Sequence, residues 1–422
     1  MAKPRLRRDI QLIPTVMNGR RMVVVMDPLN LTHNSVALDQ GILPLLRTLD
    51  GNNDFRDIQT ILMRQRGGTL IPLSEIETFI NKLDEYLLLD SNHFNERIAA
   101  LYEEFNSRSD RPPSHAGKCY DPDPERLSTF IDTREKELSR GIPDYSETTI
   151  TGLVAPHIDI AVAADTYVDL YRRLRGKAYD LVIIFGINHQ WQDGLYSLSE
   201  KNYVTPFGTL ETDRDFIGRL KKKLPRGTLA TDDFGHRQEH SVEFQTIFLH
   251  HYFYPSPPRI VPILCGGIHE FIISGGNIFD DERFRAMGNV LENLIDENGR
   301  RVLLVAAVDL SHIGLKFGHR TPAASMLSAT RANDRKIIDA LEAGTPEAIF
   351  DNAVEHQDRY QVCGLPSLLI VSYLLKGCRG TLLAHETYDE QATQSAVTYA
   401  SMIFTGGKND APRRNSETEQ EF

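Results

Sequence analysis

The stretch "TGLVAPHIDI", residues 151–160, decides the fold. Its nearly continuous apolar run is the mark of a strand buried on both faces of a sheet. Pro156 breaks the run, and His157 and Asp159 come at once after it. The pattern recurs. "DLVIIFGI" at 180–187 runs on to His189, and "RVLLVAAVDL" at 301–310 carries Asp309 and leads to His312. "RIVPILCGG" at 259–267 is a fourth such run, and "QSAVTYASMIF" at 394–404 reads as a last strand. Amphipathic stretches such as "TYVDLYRRLRG" (166–176) and "FRAMGNVLENLIDENG" (284–299) lie between them. This alternation predicts an α/β fold: a mixed, largely parallel sheet with helices on both faces. In open α/β sheets ligands bind outside the carboxyl ends of the strands. One histidine there is more often structural than functional. Three histidines, brought to one edge by three separate strands, point to a metal or catalytic site.

Composition narrows the function classes. The 422 residues are 41% hydrophobic and 25% charged, ordinary for a globular protein and long enough for two domains. The net charge of -11 argues against nucleic acid or an anionic membrane as a partner. No apolar run reaches the roughly 18 residues of a membrane span. The basic start, MAKPRLRR, lacks the apolar core of a secretory signal after it. Four cysteines (119, 265, 363 and 378) form no CxxC pair, so a reduced, cytoplasmic setting is expected.

Residues 1–110 read as a separate module. "IQLIPTVMNGRRMVVVMD" predicts a hairpin turning at Asn18-Gly19. Two short helices come next in "GILPLLRTLDG" and "DFRDIQTILMRQRGG", and a third carries Ile76, Phe79, Ile80, Leu83 and Leu87 on one face, with Ser74 and Glu77 as a capping box. Residues 93–113, ending "NSRSDRPP", predict a helix and then a polar linker, so residues 114–405 should fold without the module. The module resembles a winged helix, and more closely the PqqD-like domains that bind peptides beside radical-SAM enzymes. Its 13 Lys and Arg against 15 Asp and Glu, a balance of -2, favour peptide docking or packing over DNA. The tail at 406–422 is polar and expected to be disordered.

Two further stretches carry chemistry. In "QEHSVEFQTIFLHHY" a helix would set Glu239 and Glu243 one turn apart, with His240 beside Glu243. The carboxylates would either orient ligand imidazoles or simply cap a helix start. The HExxH zinc pattern is absent. In "QVCGLPSLLIVSYLLKG", Gly364 and Pro366 start an apolar, buried helix, placing Cys363 where the helix dipole favours thiolate. Cys265 and Cys378 read as inert.

Taken in order, "SHAGKCY" (114–120), "APH" (155–157), "GINH" (186–189), "EHSVE" (239–243), "DLSH" (309–312) and "VCG" (362–364) resemble the Memo-like proteins, also called AmmeMemoRadiSam system protein B. That family is related in fold to the class III extradiol dioxygenases, which use non-haem iron. The resemblance covers 111–405. It implies a metal site of His157, His189 and Cys363, with His240 and His312 around the same pocket, and radical-SAM and AMMECR-type proteins as partners. Cys363 stands where the dioxygenases have a carboxylate, which speaks against ring cleavage. "HID" replaces a His-Ala-Gly stretch and Gln190 a second histidine, leaving Asp159 as a further acceptor or ligand.

Thiolate with two imidazoles suits iron(II), copper or zinc on softness grounds, and the relation to the dioxygenases implies iron. The first reading is therefore a metal-dependent redox enzyme, with His312, oriented by Asp309, as acid/base. Its substrate by analogy is a catechol-like or peptide-borne aromatic. A zinc hydrolase with His312 or Glu243 as base, and a binding scaffold without turnover, are the alternatives.

Overall fold

The computed structural model describes residues 3–406 except 18, 28, 30, 32–35, 66, 139–147, 191–192 and 298. The tail after Gly406 and Asn18 of the expected turn lie outside the described residues.

The N-terminal part opens with a three-stranded antiparallel sheet, β1 (Gln11–Met17), β2 (Arg20–Met26) and β3 (Val36–Asp39). Helices α1 (Leu43–Leu46), α2 (Phe55–Gln65), α3 (Leu73–Glu85) and α4 (Asn92–Ser107) come next. Met17 pairs with Arg20, and Gly19 takes a φ of 74°, as a two-residue hairpin turn requires. Val25, Leu46, Ile58, Ile76, Ile80 and Leu83 close this part's own core. Ser74 is not the N-cap of α3. The chain is extended at Pro72 (ψ 136°), which is the cap, so the helix begins two residues earlier than a Ser74 cap would place it, and its cap makes no side-chain hydrogen bond.

The expected polar linker is more tightly built. Phe105 is buried with Leu101 and Phe234. Strand β4 (Asp110–Arg111) pairs in parallel with residues 202–203, and the Arg111 side chain is wholly buried. Arginine is hidden only when paired, and its partner is a carboxylate at the candidate metal centre.

Beyond β4 the chain forms α5 (Pro124–Leu138), β5 (Ile150–Ala155), α6 (Ala164–Tyr171), β6 (Leu181–Ile187), β7 (Tyr196–Leu198), β8 (Asn202–Thr205), β9 (Gly208–Leu210) and α7 (Arg214–Lys223). It continues with α8 (His240–Phe253), β10 (Arg259–Cys265), α9 (His269–Ser274), α10 (Glu282–Glu297), β11 (Val302–Ala307) and β12 (His312–Gly314). The last elements are α11 (Leu327–Ala343), α12 (Pro346–Glu355), α13 (Leu365–Leu374), β13 (Arg379–Glu390) and β14 (Ser395–Thr405). The main sheet has eight strands in the order β12-β14-β5-β11-β6-β10-β7, with β13 beside β14. It is mixed, as expected, but parallel only at its centre. Strands β5, β11, β6 and β10 run together, whereas β7, β12, β13 and β14 join antiparallel. The flank is antiparallel because residues 391–394 link β13 to β14 directly, with no crossover helix.

Period-two alternation splits the core between the two faces. Leu153, Val182, Ile184 and Leu303 pack with α5, α6 and α8. Val154, Ile183, Phe185 and Leu304 pack with α7, α10, α12 and α13. The apolar runs thus serve helices on both sides. Because the central strands are parallel, Ala155, Ala307, Ile187 and Cys265 end on one edge. The loops that leave these four strands therefore share that edge.

Helix α8 is seated against β6 at Gly186. A Cβ there would press into Ser241 Oγ and lie only 2.8 Å from Val242 Cγ2. Gly186→Val is therefore expected to cost ~1–3 kcal/mol in denaturant unfolding through overpacking. An unchanged midpoint would contradict this seating.

Candidate metal centre

His157 lies just past β5 and is buried. Its backbone N–H donates to Asp309 Oδ1 at 3.0 Å, and that of Ile158 to the same oxygen at 3.1 Å. Its ring Nδ1 sits 3.0 Å from the Ala307 carbonyl. A carbonyl can only accept, so Nδ1 carries the proton and Nε2 the lone pair. Nε2 is 3.4 Å from Cys363 Sγ and 3.5 Å from Asp309 Oδ2. Burial, with the charge of His189 close by, holds this imidazole down to about 4, so it is neutral near pH 7.

His189, past β6, is fixed the same way by a different group. Its Nδ1 lies 3.0 and 3.1 Å from the two Glu239 oxygens, and its backbone N–H donates to Glu239 Oε2 at 3.2 Å. Neutral His189 therefore also presents Nε2 as the acceptor. Burial works against its protonation, but Glu239 outweighs burial and raises its pKa. Glu239 is at once the N-cap of α8, accepting from Ser241 N at 2.9 Å, and lies 3.2 Å from His240 Nδ1. Both sequence readings of this residue hold together: it caps a helix and it orients an imidazole. Burial opposes its charge, yet His189 and His240 keep it ionised.

Cys363 precedes the short turn into α13. Gly364 is needed there for space, since a Cβ would meet the Asp309 carbonyl and Val308 Cβ, each at 2.5 Å. The expected thiolate is not favoured by the protein alone. Burial pushes the thiol well above its usual range, and the Asp309 charge adds to this, outweighing any help from the helix. One donor atom each from His157, His189 and Cys363 lie within 4.8 Å of one another. A second group, His189, Glu239 and His240, is equally close. There the closeness is the hydrogen bonding just described.

Other expected residues are placed differently. His312 is held through Nδ1, 3.1 Å from the Leu310 carbonyl, rather than oriented by Asp309. Asp309 instead secures the turn carrying His157. Burial raises the Asp309 carboxyl to about 6 and lowers His312 to about 4, so His312 is a neutral base with Nε2 as its acceptor. His240 is driven well down by burial and stacks on His189 with ring centres 4.9 Å apart. Asp159 accepts from Ala161 N at 2.8 Å, closing the turn before α6, and belongs to neither donor group among the described residues.

Glu243 is not a free base. Its oxygens take Arg111 Nη1 at 2.5 Å, Ser114 Oγ at 2.8 Å, His115 N at 2.9 Å and Tyr120 Oη at 2.5 Å. Burial opposes the charge, but Arg111 and His115 hold the carboxyl far below the usual range. It is an anchor for the segment 111–120, bringing His115 to 5.7 Å from His240 between ring centres. Sequence reasoning does not single out Arg111, His115 and Tyr120. The signal for His115 and Tyr120 is the "SHAGKCY" stretch (114–120), which has no strand or helix pattern; Arg111 lies ahead of it.

Removing one partner of a buried pair strands the other, so Arg111→Ala is expected to cost about 3–5 kcal/mol in unfolding experiments. Because the fold holds Glu243 below the ordinary 4.5, its stabilisation is complete above about pH 4.5 and is lost as pH falls further. Unfolding measured against pH should therefore steepen on the acid side in the parent and flatten there in Glu243→Gln. Equal slopes would mean that the charge contributes nothing.

Residues 111–403 match the family model described as "Memo-like protein". A MEMO1 family protein of Aquifex aeolicus is 30% identical over 384 residues, covering 90% of this chain and 95% of its own. One from Methanosarcina barkeri is 29% identical over 298 residues, 69% of this chain and 99% of its own. A third, from Pyrococcus horikoshii, is 26% identical over 305 residues, 69% of this chain and 98% of its own. The chain belongs to the Memo-like family.

Proposed function

We propose that this chain is a metal-dependent redox enzyme in which His157, His189 and Cys363 hold iron(II) or copper. The observation that carries the reading is that two imidazoles, each held at Nδ1 by a carbonyl or a carboxylate, bring one ring nitrogen apiece within 4.8 Å of each other and of one thiol, His157 Nε2 at 3.4 Å from it. Neutral imidazoles and a sulfur are the donors that such ions select. A cation there also answers an electrostatic misfit of the site, a thiol raised by burial and further by neighbouring carboxylates.

When bound, the metal would supply electron transfer or oxygen chemistry. The chain's own residues bind, orient and move protons. Asp309 fixes the turn that carries His157, and Glu239 fixes the His189 ring. His312, neutral with Nε2 unprotonated, receives a proton from a phenolic or catecholic substrate hydroxyl. A zinc hydrolase needs a base for its water, and with Glu243 committed to Arg111 only the imidazoles remain. That weakens the hydrolytic reading.

Cys363→Ala is expected to lose most of the metal found in the anaerobically purified parent, because two imidazoles alone form an exchange-prone site. Cys363→Asp should keep iron by restoring two histidines and a carboxylate. Cys265→Ala, a core position, should keep the metal at an unfolding cost of ~1 kcal/mol. Full metal content in Cys363→Ala, measured by elemental analysis, would rule the thiolate out as a ligand.

A further inference from the structure

A cavity of about 610 Å³ opens beside the candidate metal centre, and two parts of the chain build it. From the N-terminal side it is lined by Arg8, Asp9 and Tyr102; from the sheet side by His189, Asp193 and Asp232. His189 is the most exposed of the three candidate ligands and forms part of the inner wall. The volume falls in the range of small-molecule sites, which favour such junctions.

The walls are held in place. Tyr102 stacks on Phe234 with ring centres 3.8 Å apart, and Phe234 shares a buried cluster with Leu31, Leu87 and Phe105. Arg237 donates to the Leu29 carbonyl at 2.7 Å. On the module side, buried Arg7 bridges Asp27 at 2.6 Å and Asp9 at 2.5 Å, fixing the strand entry that carries Arg8. The lining holds Asp193 and Asp232, and Asp9 that Arg7 already pairs, against the guanidinium of Arg8, so its net charge is negative. Asp193 and Asp232 each commit one oxygen to a backbone N–H, of Thr231 and Phe234, which orients them.

We propose that this cavity is the subsite for the outer part of the substrate, that it selects a molecule bearing an ammonium group, and that Arg8 of the N-terminal part helps set that selectivity. This rests on the reading of His157, His189 and Cys363 as the metal site. The N-terminal part is then a wall of the enzyme's own binding site, not a detachable adaptor.

The test uses full-length protein loaded anaerobically with cobalt(II), whose visible spectrum reports ligands at the metal. Catechol, dopamine and 3,4-dihydroxyphenylacetate are the probes: one reacting end, with no arm, a cationic arm or an anionic arm. Dopamine is expected to bind more tightly than dihydroxyphenylacetate by on the order of fivefold, the size of one partly screened charge contact. Asp193→Asn with Asp232→Asn, which keep an acceptor oxygen for the two backbone amides, should bring the ratio close to one. Arg8→Glu should widen it, and catechol affinity should stay constant throughout. Equal binding of the two arms in the parent, or a ratio indifferent to these substitutions, overturns the proposal. If catechol itself leaves the cobalt spectrum unchanged, the metal-site reading fails and this one falls with it.

Discussion

A carboxylate taken out of water must find donors or be lost, at a cost of several kcal/mol. Three of them, Asp309, Glu239 and Glu243, stand buried at one end of the central strands. The donors they recruit are the N–H groups of the turns and rings that make up the site. Asp309 takes the two amides after β5, Glu239 takes the amide and ring of His189, and Glu243 takes the segment from Arg111 to Tyr120. Satisfying the acids therefore fixes where His157 and His189 sit and, for His189, which nitrogen is protonated; the His157 proton is set by the Ala307 carbonyl. The rotamers are consequences of that demand.

The same arrangement leaves an imbalance at its centre. Negative groups surround a thiol that burial already keeps protonated, and the neutral His157 offers a lone pair beside it. Such a cluster gains from a cation, and on the proposed reading a soft, redox-active one completes it. The N-terminal part then matters for function through the cavity it encloses, and its attachment by aromatic stacking and a shared apolar cluster is what keeps that cavity shaped.

Much of this is legible in the sequence. Four apolar runs ending at one edge specify the α/β sheet, and His157, His189 and Cys363 stand out because each comes after a strand or precedes a buried helix. The illegible features depend on partners distant in the chain. Arg111 looks like part of a polar linker because its counter-charge, Glu243, lies 132 residues away. Glu243 looks like a free base for the same reason. Asp309 reads as the partner of the nearby His312, while its hydrogen bonds run across the sheet to the end of β5. Strand β13 escapes notice because its outward residues are polar, as suits an edge strand.

X-ray absorption at the metal edge of anaerobically purified protein tests the central claim most directly. The account predicts an iron or copper edge, with two imidazole nitrogens and one sulfur among the bound atoms. A shell of nitrogen and oxygen without sulfur, or a zinc edge at full occupancy, would contradict it.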